Sequence, residues 1–135
     1  MMSLEEIEKT VILKKEVGNL ISVTFTQYLA EQESSEQANL VVGKIEEILK
    51  NNPEIGFNLI FDLSPIKILP SFITNESQEK YRGLAEHKQV RKVAIIGANL
   101  FFKVATNFLM TASRRGTSIK WFSNREEALN WFSKV

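Results

Sequence analysis

The stretch IFDLSPIKILPSFITN, residues 60 to 75, carries the side chains with the most chemical potential in this chain. An apolar run ends on Asp62, and a loop holding Ser64, Pro65, Pro70 and Ser71 follows. An acid followed by two hydroxyls can serve phosphate chemistry, or it can be ordinary turn and cap residues. Asp62 and Ser64 form an Asp-x-Ser pair before Pro65, a composition that opens turns. Gly97-Ala98-Asn99 could admit an anion at a following helix end, because glycine lets a backbone approach closely. It lacks the repeated glycines of a dinucleotide fingerprint or a P-loop, and Asn99 also suits a helix cap. Arg114 and Arg115, with Lys120 and Arg125, make the clearest basic cluster. Cations in the last turn of a helix also complement its dipole and need no partner.

Composition removes most other chemistries. The 135 residues include no cysteine, which excludes disulfides, thiolate catalysis and cysteine-ligated zinc, and fits a reducing cytosol. The single histidine, His87, cannot supply a zinc ligand cluster and stands in no recognisable relation to a serine it could activate. Carboxylates abound, but mainly on helix surfaces, where solvation accounts for them. No metal, no cofactor and no catalytic constellation is expected. A net charge of +1 offers no global field for nucleic acid or an anionic membrane. The segment MMSLEEIEKT is acidic and has no apolar h-region, so it does not read as a signal peptide. No apolar stretch approaches the roughly 18 residues of a membrane span, and a cytoplasmic location is expected.

These residues need elements to position them. At 44% hydrophobic and 24% charged, the chain has the ordinary globular mixture and enough length for one domain, residues 1–135, with its own core. TVILKK and LISVTFT flank Gly18-Asn19, which predicts a hairpin; Ile21, Val23 and Phe25 alternate with Ser22, Thr24 and Thr26 as in a half-buried strand. In SSEQANLVVGKIEEILKNNP, Ala38, Val41, Ile45, Ile48 and Leu49 fall on one helical face, with Ser34 and Gln37 at capping-box spacing. FNLIFDL reads as a strand. NESQEKYRGLAEH reads as a polar helix whose apolar side is only Ile73, Tyr81 and Leu84. KVAIIG is a buried strand and NLFFKVATNFLMTAS a helix. SIKWF is a strand, and SNREEALNWFSKV a closing helix with Ser123 and Glu126 as cap pair and Ala128, Leu129, Trp131 and Phe132 inward.

Strands are thus expected at 57–62, 92–97 and 118–122 after the hairpin. Alternation of strand and helix implies parallel pairing through right-handed crossovers. Such a sheet presents its ligand-facing loops beyond the carboxyl ends of the strands, where both Asp62-Leu63-Ser64 and Gly97-Ala98-Asn99 would lie.

The run RKVAIIGANLFFKVATNFLMTASRRGTSIKWFSNREEALNWF resembles the SpoIIAA-like branch of the STAS superfamily, also labelled STAS/SEC14. That branch shows a strand of the type R-x-V-A-V-V-G, a helix, a strand ending in x-x-F and a short helix of the type E-A-x-x-W. Here these are Arg91 to Gly97, Asn99 to Ser113, Ile119 to Phe122 and Glu127 to Trp131. The resemblance implies an α/β superhelix whose successive strands are neighbours: a hairpin leading into a mixed sheet of about five strands with about four helices. It also implies a non-enzymatic domain that binds protein partners, nucleotides or lipids.

In the anti-sigma-factor antagonists of that superfamily, a serine in a D-S-S-G-L-G signature is phosphorylated, and a complex dissolves. Laid over this chain, the signature serine falls on Ser71, but its neighbours become Pro70, Phe72 and Ile73, so the motif is degenerate. A phosphate there would meet free amides and partial positive charge at a helix N-terminus; otherwise Ser71 is a cap.

Aromatic residues concentrate late. Phe101 and Phe102 point about 100° apart on a helix, as do Trp131 and Phe132, so at least one is expected to touch a partner, a lipid-like ligand or a second copy of the chain. The expected function is that of a bacterial, STAS-like regulatory or interaction domain for a protein partner. The alternative is a carrier or sensor of a small apolar ligand in the SEC14-like sense.

Overall fold

The computed structural model describes residues 2–27, 29, 31–66, 75–97 and 118–134. Five strands form one sheet in the order β1-β2-β3-β4-β5: β1 (Val11–Glu16), β2 (Leu20–Phe25), β3 (Phe57–Asp62), β4 (Val90–Ile96) and β5 (Ser118–Phe122). β1 pairs antiparallel with β2, and every later pair is parallel. Four helices are described: α1 (Leu4–Glu8), α2 (Glu31–Asn51), α3 (Asn75–Ala85) and α4 (Arg125–Ser133). The mixed α/β sheet with neighbouring successive strands is the one expected. The helix expected at Asn99 to Ser113 lies outside the described residues.

The hairpin turns at Val17-Gly18-Asn19, where Gly18 (φ 88°) and Asn19 (φ 56°) take the left-handed conformations that glycine and asparagine tolerate best. The alternation in β2 supplies only half its environment. Ile21, Val23 and Phe25 enter the larger core with α2 and α3, yet Ser22 on the other face is also buried. The opposite face of the sheet forms a second, smaller core of Leu20, Ile60, Ala94, Ile96, Phe122 and Ala128, against which Trp131 and Phe132 of α4 pack. The sheet is therefore covered on both sides.

Helix α2 buries Ala38, Val41, Ile45 and Leu49 completely, as its periodicity requires. Burial of a side chain the size of Val41, Ile45 or Leu49 is worth about 1.5–3 kcal/mol each. The helix starts at Glu31, one turn before the expected cap at Ser34. A tertiary contact accompanies the extra turn, where Glu33 accepts from the Met2 amide at 2.8 Å; inside the expected helix the Gln37 side-chain amide donates to Thr10 Oγ1 at 2.8 Å. At its other end, Gln89 Nε2 donates to the carbonyls of Leu49, Asn52 and Ile55 at 3.0, 2.9 and 2.9 Å. Carbonyls left over at the end of a helix are thus satisfied from the loop before β4.

Two further expectations shift. The cap of α4 is Asn124, whose Oδ1 accepts from the Glu127 amide at 2.9 Å; Ser123 stands one residue too early. Leu129 is exposed, while Ala128 is buried and Trp131 and Phe132 partly so. Helix α1 was not expected. It carries a complete capping box between Ser3 and Glu6 and buries a single residue, Ile7.

Candidate functional site

Parallel strands β2, β3 and β4 end together, and their register fixes the rim. Asp62 stands between Thr24 of β2 and Ile96 of β4, and Ile96 pairs in turn with Phe122 of β5. Beyond the strand ends the chains remain tied. The Leu63 amide donates to the Ile96 carbonyl at 2.8 Å, and the Gly97 amide donates to that of Phe122 at 3.2 Å. Asp62, Ser64 and Gly97 are therefore brought to one surface at the carboxyl-end rim.

Locally, Asp62 closes a turn. Its Oδ1 accepts from the Ser64 amide at 2.9 Å, the geometry expected of an Asp-x-Ser pair before a proline. One carboxylate oxygen is thereby engaged in shaping the loop. Gly97 is buried, Asp62, Leu63 and Ser64 are partly so, and Pro65 is exposed, so the described part of the rim presents polar and apolar side chains together. Of the remaining sequence candidates, Ser71, Asn99, Arg114 and Arg115 lie outside the described residues. Lys120 is exposed on β5, its ammonium 5.6 Å from the Phe122 ring centroid, and Arg125 pairs with Glu16. His87 sits in the turn before β4, where its Nδ1 accepts from the Gln89 amide at 3.1 Å.

Sequence reasoning missed what lies under the rim. Phe25 and Phe61, near the ends of β2 and β3, meet Tyr81 of α3 edge-on, with ring centroids 6.4 and 5.6 Å from it, and 6.3 Å from each other. Burial pushes the Tyr81 phenol well above its ordinary value of 10, so it stays protonated and is no base. Partly buried Leu63 and Ile66 pack on the same core. The available signal was an aromatic residue at or near the carboxyl ends of β2 and β3, Phe25 and Phe61, with Tyr81 on the thin apolar side of α3. Among the described residues, no three His, Cys, Asp or Glu side chains gather where a metal ion could be held.

No protein-family model and no curated protein sequence matches the chain. A solved structure does: the crystal structure of an uncharacterized protein of the DUF3478 family with a SpoIIAA-like fold, from Shewanella loihica PV-4. It is 18% identical, the match covers 90% of each chain, and the TM-score is 0.63. The chain has the SpoIIAA-like α/β fold. At this identity the likeness carries the fold alone. Among the described residues, no helix is long and apolar enough to cross a membrane.

Proposed function

We propose that the chain is a non-enzymatic, STAS-like interaction domain of the cytoplasm that binds a protein partner at the rim around Asp62, Ser64 and Gly97. The observation that supports this reading is the Leu63-to-Ile96 hydrogen bond of 2.8 Å, which ties the first residue after β3 to the last residue of β4. A partly polar rim carried on strand ends suits recognition of a folded partner, because residues tied to the sheet lose little conformational freedom on docking. A photo-crosslinking residue at position 64, with a control at the exposed, outward-facing position 44, tests it in lysate of the host. The expected result is one protein adduct from position 64 and none from position 44. Identical adducts from both, or none from the rim, would overturn the reading.

The aromatic trio of Phe25, Phe61 and Tyr81 beneath this rim favours a second reading, a small apolar ligand held between sheet and α3. Native mass spectrometry of protein from its own host separates the two, since a carried ligand adds a defined mass to the monomer.

A further inference from the structure

The opposite edge of the sheet, where the parallel strands begin, gathers exposed cations from the end of β1, the end of α2 and the start of β4 with the turn before it. The Asn58 amide donates to the Asn19 carbonyl at 3.0 Å and the Phe57 amide to that of Gln89 at 2.7 Å, while Gln89 also binds the carbonyls of Leu49, Asn52 and Ile55. Lys15, Lys50, Lys88 and Arg91, all exposed, are thereby held at one end of the molecule. Lys15 donates to Asn52 Oδ1 at 3.4 Å and sits 5.9 Å from the Phe57 ring centroid. Arg91 lies across Gly56 so closely that a Cβ there would collide with its Nε.

The ion pairs among the described residues join Lys44 to Glu8, Arg82 to Glu79 and Arg125 to Glu16; none uses these four cations. The carboxylates of the same loops are Glu54 and Glu86. Lys50 complements the dipole of α2 in its last turn, but Lys15 and Arg91 stand on strands and have no such account. Among them projects Val17, 99% exposed, at the tip of a hairpin whose left-handed turn holds it outward.

We propose that this edge is a docking surface for an acidic protein segment with an apolar residue to meet Val17. Charge complementarity selects the class. Four separated cations beside Glu54 and Glu86, on a chain of net charge +1, are too few for the phosphate lattice of a duplex, and one valine is too small an anchor for a bilayer. The surface lies at the far end from the rim around Asp62 and is independent of what that rim binds.

The test is a titration of isotope-labelled protein, followed by NMR, with a synthetic peptide of Glu-Glu-Leu repeats. Parallel arms use a DNA duplex and phosphatidylcholine vesicles containing phosphatidylglycerol. Peptide-induced shifts are expected at residues 15–19, 50–56 and 86–92, and they should vanish in about 0.5 M salt, where charges are screened within a few ångströms. The K88E/R91E variant should bind at least about tenfold more weakly, and Val17→Ser about threefold. Should that pair fail to fold, K50E/K88E on the same edge replaces it. Shifts scattered over the molecule, salt-insensitive binding, unaffected variants, or tighter binding to duplex or vesicle than to peptide would each overturn the proposal.

Discussion

Arg125 donates to Glu16 Oε1 at 2.7 Å, joining the first residue of α4 to the last residue of β1 across the smaller core. This bond is the largest cause holding the Glu16 carboxyl below its ordinary value of 4.5; a hydrogen bond from Ser22 adds to it and partial burial opposes it. A depressed carboxylate stabilises the fold above its unfolded value, and that contribution fades as pH falls through the lower folded value. Both side chains are partly in water, at 40% and 29% exposure, so solvent screening limits the pair to about 0.5–1 kcal/mol. Glu16→Gln should lose that amount near neutral pH and match the parent in strong acid. Urea unfolding across pH 3 to 7 checks it; curves separated equally at every pH would contradict the linkage.

Gln89 offers two hydrogens to three carbonyls, so replacement of its amide has a signed consequence. Gln89→Leu should cost about 1 kcal/mol through the lost hydrogen bonds, since the Leu49 and Asn52 carbonyls keep the amides of Asn52 and Ile55. Gln89→Glu should cost more near neutral pH, because a carboxylate facing three carbonyl oxygens loses the donor and gains repulsion at short range, while the cations of this edge are exposed and screened by water. The introduced acid is held neutral in the folded state, with its pKa raised. Stability is then greatest below the unfolded value and falls as pH rises. Denaturant unfolding of both variants at two pH values decides this: Glu should be the milder change in acid and the harsher one near neutrality.

The ends of α4 separate local from actual capping. Asn124 accepts from the Glu127 amide, whereas the Ser123 hydroxyl reaches only the exposed Glu127 carboxylate at 3.4 Å. Asn124→Ala should cost about 1 kcal/mol and Ser123→Ala only a few tenths. Thermal unfolding of the two variants side by side measures the difference, and equal losses would mean that the two residues share the cap.

This pair also shows what a sequence reveals. Strands β3 and β5 stand where alternation and apolar runs place them, because both signals are local. The cap moved by one residue since Ser123 and Asn124 are both good caps and the choice depends on where β5 ends. Helix α2 begins before Ser34, in a turn where Glu33 meets the Met2 amide, a contact that no spacing rule within 34–51 contains. Helix α1 did leave a signal, Ser3 with Glu6, but a five-residue helix with one buried side chain has no readable periodicity. Asp62, Ser64 and Gly97 were legible as a rim because parallel strands deliver their following loops to one edge. The Gln89 hub was not, since recognition of carbonyls depends on their geometry rather than on the identity of the residues that carry them.

The degenerate signature around Ser71 yields the last prediction. Where a serine is a phospho-switch, a negative charge at its position weakens the complex and alanine preserves it. Where it is a cap, alanine costs about 1 kcal/mol of stability, while aspartate, itself a good cap, is tolerated. Pro70, Phe72 and Ile73 replace the polar and small neighbours that the signature uses, so the sequence such a kinase would read is absent. Ser71→Asp and Ser71→Ala are therefore both expected to keep the adduct formed from position 64, with only the alanine variant melting earlier. Loss of that adduct in the aspartate variant alone would restore the switch and make the loop after Asp62 a regulated surface rather than a fixed one.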